Sequence, residues 1–225
     1  MNPFSEIDLL LADLAEEDLL LARRVAVTAI CRMTQAAQTQ PYRQGIEPHV
    51  LQSALTLARR DKPCRELYRP ICDAYNDFWL DASFTRLKKD DVLQESLSAA
   101  SALDQREGLS DSDLRRFHKE TATREVLYAI NVYWDLLQCP DEAEEATLRR
   151  CQHICDDVRL ACASIERANT EYTYNPEWPA HVVRQGMVAE GAEGRRQMNH
   201  IKRLLNLARR RARPGSRLRT SLLAQ

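Results

Sequence analysis

The chain is predicted to be all-α, a multi-helix bundle of about six helices that ends in a basic amphipathic helix. Only 6 of its 225 residues are glycine, and Leu, Ala, Arg and Glu dominate a composition that is 44% hydrophobic and 29% charged. Such usage favours helix, and no long run of β-branched residues offers a competing strand signal. Apolar residues recur at the three- and four-residue spacing that lines one helix face.

The first helix is expected to open at Ser5, where Asp8 completes a capping-box pattern and Phe4 can pack on Leu9. Ile7, Leu10, Leu11 and Leu14 share one face; Leu21 and Val25 continue it after a break at Asp18, towards Gln38. Acidic residues crowd the first turns, with no basic residue before Arg23, which suits the positive end of the helix dipole. Pro41 and Gly45 end this segment. Pro48 occupies a first-turn position for a helix through Arg60, and Pro63 opens another carrying Leu67, Ile71 and Tyr75, which Pro70 is expected to kink or split.

A further helix is read over Ser83 to Ala102, and Gly108 separates it from a capped start at Ser110 and Asp113. The helix from there to Gln138 has apolar residues on two sides, the mark of a central helix or of one that also meets a partner. Pro140 stops it. The acidic turn at Asp141, Glu142, Glu144 and Glu145 then begins a helix reaching about Asn169.

The charge distribution is the most informative feature for function. Residues 194 to 225 hold ten of the 32 Lys and Arg and none of the 33 Asp and Glu, so the first 193 residues keep 22 basic against 33 acidic groups. A formal net charge of −1 conceals an acidic body and a basic tail. Blocks of one sign mark surfaces that meet an opposite charge. Gly186, Gly191 and Gly194 fall between the two, and glycine is entropically costly inside a helix. The expected organisation is an acidic helical body over residues 1–185, a glycine hinge at 186–194 and a basic helical tail over 195–225.

Within that tail Met198, Leu204, Leu205, Ala208 and Ala212 fall within about 60° of Ile201 and form with it a docking stripe. Arg195, Arg196, Lys202, Arg203, Arg209 and Arg210 lie on the opposite arc, and Arg213, Arg217 and Arg219 extend the charge past Pro214 and Gly215. These nine residues are the candidate nucleic-acid-binding set, because arginine's planar fork fits phosphate oxygens. Tyr172, Tyr174 and Trp178, in the connector before the tail, are candidates to stack bases, although such a connector more often pins itself to the bundle through its rings. The apolar stripe lacks Trp and Phe, which disfavours a membrane surface.

Catalytic and metal chemistry find little support. Cys151, Cys155 and Cys162 lie on one apolar stripe with Ile154, Val158 and Ile165, whereas His153 points away, so the group reads as buried thiols rather than zinc ligands. His118, Thr121 and Glu125 share a face that could relay protons inside a cleft, but they read first as an ordinary polar strip. No phosphate-binding glycine loop, His-Glu-x-x-His or Gly-x-Ser-x-Gly pattern is present, and no Glu stands three residues before any of the 5 histidines.

No apolar run approaches ~18 residues, the N-terminal stretch has no basic region ahead of its apolar residues, and seven cysteines without a regular framework suit a reducing compartment. The expectation is a cytoplasmic, non-catalytic subunit or accessory factor of a larger assembly, touching DNA or RNA phosphates through its basic helix, with no cofactor and no metal. The competing expectation is a protein–protein adaptor, within a homo- or hetero-oligomer, whose acidic and basic ends pair without nucleic acid. An enzyme built around His118 and Glu125 stands third.

Overall fold

The computed structural model describes residues 3–39, 45–80, 111–139, 143–170 and 178–212. They form seven α-helices and no strand: α1 (Pro3–Glu17), α2 (Leu19–Thr39), α3 (Pro48–Arg60), α4 (Arg65–Leu80), α5 (Asp111–Gln138), α6 (Glu144–Asn169) and α7 (Trp178–Ala212). The expected helix at Ser83 to Ala102 and the cap at Ser110 lie outside the described residues.

Asp18 does divide the first apolar segment. Its backbone N–H still donates to the Leu14 carbonyl at 2.9 Å, while its carboxylate accepts from the Leu20 N–H at 2.9 Å and so caps the start of α2. Pro48 begins α3 as its spacing requires. Pro70 neither splits nor ends α4. It stands early in the helix, where the absent proline N–H removes the single bond to the Glu66 carbonyl.

Asp61 closes α3 in the left-handed conformation, φ 46°, with its N–H bonded to the Leu57 carbonyl. An aspartate tolerates that region better than most residues do. Its carboxylate also accepts from Tyr133 Oη of α5 at 3.0 Å and from Arg23 Nη2 of α2 at 3.3 Å. One C-cap residue therefore ties three helices together.

Two apolar clusters build the interior. The larger joins α2, α3, α4, α5 and α6 around Ile30, Met33, Leu51, Leu57, Ile71 and Tyr133. Beside it Tyr68 stacks on Trp134 with ring centroids 4.1 Å apart and the planes 2° from parallel. The smaller joins α1, α2, α6 and α7 through Ile7, Leu11, Leu14, Val25, Cys155, Ile201, Leu204 and Leu205. Helices α2 and α6 take part in both. Helix α5 buries one face of its two-sided pattern, with Ala122, Val126, Ile130, Tyr133 and Leu137 all in the interior, whereas Tyr128 on the other side is exposed.

Residues 186 to 194, the expected hinge, are helical and lie inside α7, a 35-residue helix about 52 Å long that begins at Trp178. Gly186 permits close packing there. A Cβ on Gly186 would meet Arg167 Nε and stand 2.8 Å from its Cγ, so a methyl there would require the Arg167 side chain of α6 to shift. Burial against neighbouring helices offsets the entropic cost that glycine carries in isolation.

Candidate nucleic-acid interface

The docking stripe of α7 is seated as its pattern requires. Ile201, Leu204 and Leu205 are buried among Ile7, Leu11 and Leu14 of α1 and Ala22 and Val25 of α2, with Met198 packed beside them. Two buried polar contacts set its register on the body. Gln197 donates from Nε2 to the Cys155 carbonyl at 3.0 Å and accepts from Arg159 Nη1 at 3.5 Å. Glu193, fully buried, receives Arg32 Nε on both carboxylate oxygens at 3.2 Å and Arg32 Nη2 at 2.5 Å, with Arg196 Nη1 3.7 Å away. This fork-to-carboxylate geometry compensates the desolvated charge.

Arg195, Arg196, Lys202, Arg203, Arg209 and Arg210 are all exposed, on the arc opposite the stripe. They do not form one uniform face. On the flank towards α1, Lys202 Nζ lies 3.1 Å from Glu6 and Arg209 Nε lies 3.6 Å from Glu17, so the acidic first helix neutralises these two within the chain. Arg195, Arg203 and Arg210 have no acidic partner among the described residues. A depression of about 460 Å³ opens on this crest, lined by Asn199, Lys202, Arg203, Asn206, Leu207 and Arg210.

The flank towards α2 is opposite in character. Arg32 reaches Glu193, and Ala22 and Val25 pack near Ile201 to Leu205, so α2 runs antiparallel to α7 along this seam. Arg24, exposed and eight residues from Arg32, shares its helix face and stands towards His200 and Arg203. Burial, then the guanidiniums of Arg32, Arg203 and Arg24, hold the His200 imidazole below its ordinary pKa. Four guanidiniums and an imidazole thus line the seam against one carboxylate, Glu193, among the described residues. Sequence reading missed Arg24, Arg32 and His200. The available signal was the Arg24–Thr28–Arg32 polar stripe on a helix whose opposite side is apolar.

Arg213, Arg217, Arg219, Tyr172 and Tyr174 lie outside the described residues, as does the side chain of Trp178.

The remaining candidates separate. Cys151 and Cys155 are fully buried and Cys162 partly so, and burial pushes the Cys151 and Cys162 thiols up to about 12 and raises Cys155 as well. Such thiols are poor nucleophiles and poor ligands at neutral pH. His153 is exposed on another face, and the described residues contain no group of three or more His, Cys, Asp or Glu placed to hold a metal ion. His118 is buried, and desolvation followed by the charge of Arg167 lowers its pKa to about 4. Glu125 instead pairs with Arg124 on its own helix and lies near Asp157 of α6. The His118–Glu125 relay is therefore not assembled.

Comparison of the chain with protein-family models, with curated proteins and with solved structures returned no match. No helix among the described residues is long and apolar enough to cross a membrane.

Proposed function

We propose that this chain is a non-catalytic subunit or accessory factor of a larger assembly and that it contacts nucleic-acid phosphates through the basic crest of α7 and the adjoining α2 seam. The observation that carries this reading is the net positive charge of the seam, where the guanidiniums of Arg24, Arg32, Arg196 and Arg203 face a single carboxylate, Glu193, among the described residues. An isolated protein gains nothing by gathering like charges; a polyanion stabilises them and releases its own counterions in doing so. Arg210 and Arg195 extend the same field along about 22 Å of helix.

The adaptor reading has its own support. Lys202–Glu6 and Arg209–Glu17 pair a basic helix with an acidic one inside this chain, and the same pairing between chains would build an assembly without nucleic acid. These ion pairs are exposed and weak, worth at most about 1 kcal/mol each. They leave the α2 flank unexplained.

Titration of labelled single- and double-stranded oligonucleotides at two salt concentrations tests the proposal. Replacing Arg24, Arg203 and Arg210 together with glutamine should weaken binding and flatten the salt dependence, by roughly one unit of logarithmic slope for each phosphate the variant no longer engages. Wild-type protein that binds neither oligonucleotide at low salt would discard the reading in favour of the adaptor.

A further inference from the structure

The seam has a feature that a plain electrostatic surface does not require. His200 lies between the exposed guanidinium of Arg203 on its own helix and those of Arg24 and Arg32 on α2, and its Nδ1 is buried with no hydrogen-bond partner among the described residues. Helix α2 faces it with Arg24 and Arg32, and α7 supplies Arg196, Arg203 and Glu193, the last already engaged by Arg32 and Arg196. The carboxylates of α1 stand on the opposite flank of α7, where Glu6 and Glu17 are held by Lys202 and Arg209. No free acid among the described residues is placed to favour an imidazolium.

Resting on the reading that nucleic acid binds here, we infer that the α2–α7 seam is a phosphodiester-binding notch in which His200 takes up a proton as the phosphate binds. The register supports one phosphate in one place. Arg24 stands opposite His200 and Arg203, about 12 Å along α2 from Arg32. A phosphate seated between Arg24 and Arg203 meets two guanidinium forks and the imidazole from separate helices. In the free protein burial, and after it the surrounding guanidiniums, disfavour the charged ring. A phosphate's negative charge offsets that field, the ring accepts a proton from solvent, and the imidazolium N–H donates to a phosphate oxygen. No covalent bond changes.

An imidazole held below its ordinary value in the free protein and raised in the complex couples binding to proton uptake between those two values. Affinity therefore rises as pH falls through that interval, with a limiting slope of about tenfold per pH unit for one proton. A purely arginine surface has no such slope, because guanidinium stays charged throughout.

The experiment measures dissociation constants of the full chain for a labelled oligonucleotide at fixed salt from about pH 8 to about pH 5.5, for wild type and His200→Gln. The expected result is a roughly three- to tenfold tightening for wild type, absent from H200Q, with an unchanged salt slope at the upper pH. A second measurement needs no variant. The His200 ring resonances, followed by NMR through a pH titration, should give a higher pKa with oligonucleotide bound than in its absence. Binding that tightens equally in H200Q, or a His200 pKa unmoved by saturating oligonucleotide, overturns the inference while the phosphate reading stands. Failure of the oligonucleotide to bind at any pH and low salt, with the His200 pKa also unmoved by inorganic phosphate, overturns both. Inorganic phosphate that raises the His200 pKa, when no oligonucleotide binds, retains the phosphate notch but overturns its assignment to nucleic acid.

Discussion

At the scale of single residues, two glycines on α7 make opposite demands. Gly191 has open surroundings: a Cβ there would meet only Arg195 Nη1, at an ordinary van der Waals distance of 3.5 Å. Alanine at that position should stabilise the protein by up to about 1 kcal/mol through helix propensity and a less free unfolded chain. At Gly186 the same change drives a methyl into the body of the Arg167 side chain, which is itself largely buried. Overpacking of this kind costs about 1–3 kcal/mol, more than the propensity gain, so Gly186→Ala should lower the denaturation midpoint where Gly191→Ala raises it. Chemical denaturation of the two variants checks both signs, and a G186A protein as stable as wild type would show that Arg167 yields freely. Glycine composition alone cannot separate these cases, since what distinguishes them is the neighbour across the helix interface. The sequence signal was a cluster of expensive residues; the structural reason is the close approach of α6.

Among the elements, the α5–α6 interface holds the clearest pH-dependent strain. Burial first, then Glu125 and Asp156, push the Asp157 carboxyl up to about 7, and its Oδ2 is buried without a hydrogen-bond partner among the described residues. Between about pH 4 and about pH 7 the folded state holds a proton that the unfolded chain releases. Stability is therefore lost as pH rises through this window, and the cost is complete above it. Asp157→Asn removes the ionisation, so it should be more stable than wild type near pH 8 by about 1–2 kcal/mol, a figure reduced for the solvent that reaches the group. Near pH 4 the difference should vanish. Paired melting curves at the two pH values decide the matter, and an asparagine variant less stable at pH 8 would show that the carboxylate is satisfied after all. Much at this scale was legible beforehand. Asp18, Pro48 and the period of the α7 stripe act through local capping, backbone restriction and one-sided burial, all written into neighbouring residues. The α2 contribution to the basic surface was not, because Arg24 and Arg32 acquire meaning only when α7 lies antiparallel beside them. The acidic start of α1 and the basic tail suggested complementary ends, yet only the packing shows that Lys202 and Arg209 are the residues it neutralises.

For the whole molecule, the consequence lies in the division of the interior into two clusters that share α2 and α6. Helices α1 and α7 rest chiefly on each other and on those two shared helices, whereas α3, α4 and α5 belong to the larger cluster. Structure of this kind opens in parts. Native-state amide hydrogen exchange should resolve α1 and α7 as one cooperative layer that exchanges at lower free energy than α5, leaving the larger cluster closed. Uniform protection across α1, α5 and α7 would show a single indivisible unit instead. Because α2 is common to both layers, a polyanion bridging its Arg24 to Arg203 of α7 would fasten the outer layer to a helix that also builds the inner one. Bound oligonucleotide should then slow amide exchange along α1, a helix on the far flank of α7 from the seam.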